Sequence, residues 1–184
     1  MIVAFVMQSQ GILDHTLGLF GARKCIYRIL FPNTGRSACV MKIHPLGAFD
    51  NSAKDYSEIS VKPLAAAMGA EIHGVQIRDL TDAQFSEIED ALYCHKMIFF
   101  RDQNMTLGDQ ESFTLRFGEF GIDAYTSGVK GYDNVQPVIK EADAKVQFLF
   151  GSGWHTDSPF LETPPAISML YGVDIPPYGG DTIW

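Results

Sequence analysis

From residue 58 onward the apolar positions change period several times, and each change marks an element. Ile59 to Val61 reads as a short strand stopped by Pro63, and Ala70 to Ile77 as a second extended piece around Gly74. Thr81 then stands as a helix N-cap with Gln84 three residues on as its capping-box partner. Phe85, Ile88 and Leu92 follow at helical spacing, a stripe to be buried, and the helix ends near His95-Lys96. Met97-Ile98-Phe99-Phe100 is an unbroken apolar run, which predicts a buried strand. A second helix starts at Thr106, places Asp109 near its positive end, carries Phe113 and Phe117 on one face and stops at Gly118. Ile167 to Val173 is a further strand, Pro176 to Gly180 turns the chain, and Asp181 to Trp184 begins another strand.

Composition narrows the class without changing that order. The 184 residues, 46% hydrophobic, suffice for one domain with a real core, and no second domain is required. A net charge of −8 argues against a nucleic-acid surface and against anionic membranes, because both call for clustered Lys and Arg. That charge is unevenly spread. Arg23, Lys24, Arg28, Arg36 and Lys42 face Asp14 alone before the balance reverses near residue 50. Residues 1–57 are therefore expected to form an extension outside the domain, poorly ordered or loosely docked, with residues 58–184 as the domain itself. Met1 to Met7 is apolar, but Gln8-Ser9-Gln10-Gly11 interrupts it and no basic residue precedes it, so neither a secretory signal nor a membrane span fits. Cys25, Cys39 and Cys94 show no Cys-x-x-Cys spacing and read as reduced thiols in a cytoplasmic setting.

The candidate chemistry lies at Trp154-His155-Thr156-Asp157. An imidazole and a carboxylate two residues apart project to the same side of an extended strand, so both can reach one metal ion. They amount to two-thirds of the 2-His-1-carboxylate face of non-haem Fe(II) oxygenases, which leaves the opposite side of the ion open. The competing structural readings are plain. Asp157 could cap a turn before Pro159, and Thr182 could be an ordinary strand threonine. His95 reads as a packed ring or a helix-end cation, and His73 as structural.

Trp154-His155-Thr156-Asp157 followed by Gly179-Gly180-Asp181-Thr182 resembles the TauD/TfdA family of Fe(II)- and 2-oxoglutarate-dependent dioxygenases. Upstream, Ala70-Glu71-Ile72-His73-Gly74 and Phe99-Phe100-Arg101-Asp102-Gln103 look like the family's amino-terminal segment, so the likeness covers roughly residues 58 to 184. It implies a mainly β fold with flanking helices, a double-stranded β-helix or jelly roll, here expected to be incomplete because the chain ends at Trp184. It also implies hydroxylation of a small organic substrate with O2, 2-oxoglutarate going to succinate and CO2. His155 and Asp157 would be the catalytic metal ligands for Fe(II), and Thr182 would help anchor 2-oxoglutarate. Tyr125 and Ser158 would contact substrate, with Trp154 and Phe160 packing around the site. A homo-oligomer is compatible with this reading.

Two departures from the family pattern shape the expectation. Where taurine dioxygenase has a sulfonate-binding histidine after its Phe-Gly-Glu segment, Phe117-Gly118-Glu119 leads here to Asp123, whose carboxylate would repel a sulfonate. Taurine is thus not the expected substrate. No histidine follows His155, and the family's distal histidine and arginine have no counterpart before Trp184. The alternative is a truncated, non-catalytic fragment or assembly partner lacking those two residues. A zinc hydrolase lacks its His-Glu-x-x-His helix here, and a metal-free ligand-binding jelly roll is the last alternative.

Overall fold

The computed structural model describes residues 2–7, 50–122, 127–139, 153–178 and 182–183. Its strands are β1 (Ile2–Met7), β2 (Ser60–Pro63), β3 (Ala70–His73), β4 (Met97–Arg101) and β5 (Ile167–Tyr171), and its helices are α1 (Asp82–His95) and α2 (Leu107–Phe117). The strands make one sheet in the order β2-β3-β4-β1-β5. Only β3 and β4 run parallel, and a parallel pair needs a long crossover, which α1 supplies.

Both helices begin as the sequence predicts. Thr81 and Thr106 each accept the amide three residues on, from Gln84 and Asp109, whose side chains reach back to the cap amides, so two orphan donors are satisfied at each start. The Thr106 amide and hydroxyl hold the Asp109 carboxyl below its ordinary range. Helix α1 closes on Lys96, left-handed at φ 68, and β4 follows at once.

Alternation divides the sheet into two faces. Ala70, Ile72, Ile98 and Phe100 join Ile88, Ala91 and Leu92 of α1 and Phe113 of α2 in the core, with Met169 and Tyr171 of β5 packed against them. Glu71, Phe99, Ser168 and Leu170 belong to the other face, away from that core. There Arg101 lies 4.9 Å over the Phe99 ring and bonds Glu71 at 3.0 Å, which gives a buried carboxylate its partner. Phe85, Phe113 and Phe117 meet edge to face at 4.8–5.9 Å, joining α1 to α2 as their spacing predicts.

The segment before β2 is where structure and expectation part. Residues 50–57 are packed against α1 rather than loose: the Glu87 carboxylate collects the amides of Ser57, Glu58 and Ile59 at 2.8–3.1 Å. Desolvation opposes its ionisation, yet those donors prevail and hold its carboxyl below the ordinary range. Ile2–Met7, assigned by sequence to the extension, instead fills the sheet between β4 and β5. Its apolar run suits a strand flanked on both sides, which short-range signals cannot reveal. Thr182 and Ile183 are in no strand, and Asp181 and Trp184 of the expected last strand lie outside the described residues.

His95 is a buried ring, not a helix-end cation. Asn51 donates through Nδ2 to the carbonyls of Ala65 and Gly69 at 2.7 and 2.9 Å, so its Oδ1 must be the atom facing His95 Nδ1 at 2.7 Å, and Nδ1 carries the proton. Gly69, at φ 90, also donates its amide to the His95 carbonyl; an added Cβ would meet Met97 Cε at 3.1 Å. His95 Nε2 is buried without a partner among the described residues. Burial, helped by Lys96, pushes the imidazole below its ordinary 6.5. Below that value the unfolded chain binds a proton that the folded one refuses. Stability is therefore full above pH 6.5 and falls by up to about 1.4 kcal/mol per pH unit as pH drops toward the depressed folded value. Urea titrations at pH 7.5 and 5.5 should show this loss, and His95→Gln should flatten it; an unchanged slope in the variant would remove His95 as its source.

Candidate metal centre

The His155-x-Asp157 pair stands on a loop, not on a strand. Residues 154–156 carry no ladder, Ser158 is left-handed at φ 44 and Pro159 has no amide to donate, so pairing cannot continue there. The side chains nevertheless converge, with His155 Nε2 lying 3.3 Å from Asp157 Oδ1. Both are about half exposed, at 53% and 46%, and accessible from solvent.

Two neighbours set their orientation. His155 Nδ1 is 2.7 Å from the Gly153 carbonyl, which can only accept, so Nδ1 carries a hydrogen and Nε2 is the ring atom turned to Asp157. Ser168 of β5 donates its hydroxyl to Asp157 Oδ2 at 2.5 Å, leaving Oδ1 as the oxygen turned to the ring. In the neutral tautomer the Nε2 lone pair faces an anionic oxygen. That juxtaposition is favourable only with a proton or a cation shared between them. At ligand distances of about 2.1 Å, one ion can touch both atoms, and the carbonyl-to-imidazole bond is the outer support such ligands use. The donor set therefore fits a first-row divalent metal. No group of three or more His, Cys, Asp or Glu converges among the described residues, so the pair is the centre's whole described contribution.

The other predicted residues are placed less closely. Ser158 follows Asp157 directly and is half-buried, whereas Thr182 is exposed, and the glycines before it lie outside the described residues. Tyr125 and Asp123 lie outside them as well. Trp154 is 81% exposed and Phe160 is exposed too, so neither ring is buried in a core around the pair. Ser168 was missed by the sequence reading. Its signal was available: it is the polar residue of Ile-Ser-Met-Leu-Tyr, and alternation turns it away from the core side held by Ile167, Met169 and Tyr171.

An imidazole and a carboxylate converge here beside a sheet backed by two helices, a His-x-Asp pair whose donor atoms suit a cation. The chain belongs to the family described as taurine catabolism dioxygenase TauD, TfdA, whose profile matches residues 60–184. It is 35% identical over 130 residues to an alkylsulfatase of Acinetobacter baylyi, which covers 69% of this chain and 39% of that protein. It is 37% identical over 129 residues to an alpha-ketoglutarate-dependent sulfate ester dioxygenase of Pseudomonas putida, covering 69% and 41%. A crystal structure of a taurine dioxygenase from Burkholderia xenovorans aligns at 35% identity with a TM-score of 0.38, over 42% of this chain and 28% of that one. The chain spans about four-tenths of the length of these two curated relatives. Fe(II), 2-oxoglutarate and O2 are the cofactors that membership implies. Among the described residues no helix is long and apolar enough to cross a membrane.

Proposed function

We propose that this chain carries the metal-binding part of an Fe(II)- and 2-oxoglutarate-dependent dioxygenase that hydroxylates a small organic substrate other than taurine, releasing succinate and CO2. The observation that carries it is the 3.3 Å approach of His155 Nε2 to Asp157 Oδ1, each fixed from behind by Gly153 and Ser168. Iron(II) at this pair would supply O2 activation coupled to decarboxylation of 2-oxoglutarate. The chain's own residues have simpler tasks. Gly153 keeps the imidazole in its coordinating tautomer, and Ser168 occupies one carboxylate oxygen so that the other is presented. Thr182 is assigned to the 2-oxoglutarate carboxylate, and Tyr125 and Ser158 to substrate. The jelly roll is part of the same proposal: the sheet face bearing Ser168 and Leu170 is the one a second sheet would cover.

Substrate assignment rests on charge. Relatives carry the names alkylsulfatase, sulfate ester dioxygenase and (S)-phenoxypropionate dioxygenase, so the family accommodates several small anionic organic molecules. Asp123 favours a substrate whose anionic group lies away from that position, and this sets taurine aside.

With the two ligands that the described residues supply, this chain is expected to take up metal and to turn over slowly. Succinate released from 2-oxoglutarate under Fe(II) and air, with alkyl sulfates, phenoxypropionate and taurine as trial substrates, measures it. Slight Fe(II)-dependent release, unstimulated by taurine, is expected. Stimulation by taurine would sink the substrate assignment, and rapid turnover would contradict the two-ligand account.

A further inference from the structure

We infer that Ile2–Met7, although it lies outside the residues matched to the family, is the element that holds the metal pair in place. The inference rests on reading His155 and Asp157 as ligands. Asp157 is hooked to Ser168 through Oδ2, so its position is that of β5. Strand β5 ends the sheet, and among the described residues its ladder partner is β1, paired from Val3↔Tyr171 to Met7↔Ile167. The register sets Val6 beside Ser168 itself. The opposite edge of β1 pairs with β4 from Ile2↔Arg101 to Val6↔Met97, and β4 is anchored in the core by Ile98 and Phe100.

Without β1, the order of strands leaves a gap between β4 and β5. Among the described contacts that would still tie β5 to the core are its packing and the Tyr171 hydroxyl, 3.3–3.5 Å from the Gln103 and Met105 backbone. Those bonds lie at the end of the strand away from Ser168. The Ser168 end loses its ladder to Val6, and with it a support of the hook on Asp157. Ile2–Met7 thus acts as a positioning element for a site far along the chain.

The test compares the full chain with a variant lacking residues 2–7 and with Ala4→Pro, which removes a ladder donor from the middle of β1. Hydrogen exchange over residues 167–171 and Co(II) titration by visible absorption are the readouts, with exchange over residues 82–95 reporting the fold. Protection at 167–171 should be lost and Co(II) affinity should fall on the order of ten- to a hundredfold, while α1 stays protected. A synthetic peptide of residues 1–10 should restore both in the deletion variant. If deletion also exposes α1, Ala4→Pro and the peptide rescue decide. Unchanged protection and unchanged affinity overturn the inference. A full chain that takes up no Co(II) would instead sink the ligand assignment, and exchange alone would then decide whether β1 holds β5.

Discussion

Replacing His155 by alanine is expected to abolish Co(II) and Fe(II) uptake by this chain, at least a loss of about a hundredfold. The size of the effect follows from the count of donors. In the proposed site two protein atoms, Nε2 of His155 and Oδ1 of Asp157, face one another at 3.3 Å, and removing either leaves a single ligand among the described residues. Asp157→Ala should be as damaging. Ser168→Ala should be milder, because the carboxylate stays and only its orientation is freed; a loss on the order of tenfold is expected there. The order of the three variants is the informative result. Were His155→Ala to bind Co(II) as tightly as the unaltered chain, the pair would be structural and the oxygenase proposal would fall with it.

Phe100→Ala is expected to cost about 3–5 kcal/mol of folding stability, a large share of the roughly 5–15 kcal/mol that holds a domain of this size. Phe100 is completely buried, lies opposite Ile72 in the parallel ladder and opposite Val3 across β1, and faces the core that α1 and α2 close. The ring fills space between layers that cannot collapse independently, since the sheet is bonded on both sides of β4. Urea unfolding followed by far-UV circular dichroism measures it; a loss under about 1 kcal/mol would mean that the core relaxes around the cavity.

Local chemistry made much of this legible. Thr81 with Gln84 announced one helix start as a capping box, and Thr106 with Asp109 near the positive end announced the other, where the structure shows a second capping box. Met97 to Phe100 was readable as a strand from its apolar run, and His155 with Asp157 from their spacing. What escaped depends on contacts across the chain. The pairing of Ile2–Met7 with β4 and β5 is a long-range event to which no local pattern points, and Asn51, which fixes the His95 tautomer from 44 positions away, is anonymous in sequence. The loop conformation at His155 to Ser158 also overrode the expected strand: the left-handed turn at Ser158 and the missing amide of Pro159 decide it locally.

A strand at Ile2–Met7 bonded to one at Ile167–Tyr171 also has a kinetic meaning. The ribosome must make Ile167–Tyr171 before β1 can find its second neighbour, so this sheet cannot be finished until residue 171 has emerged. Closing so wide a loop costs entropy before any ladder bond repays it. Assembly of helices α1 and α2 on β3 and β4, which are near in sequence, should come early, and zipping of the far strand should come last and slowly. Until then the nascent polypeptide shows a raw β1 edge to its surroundings, open to chaperones and to neighbouring chains alike.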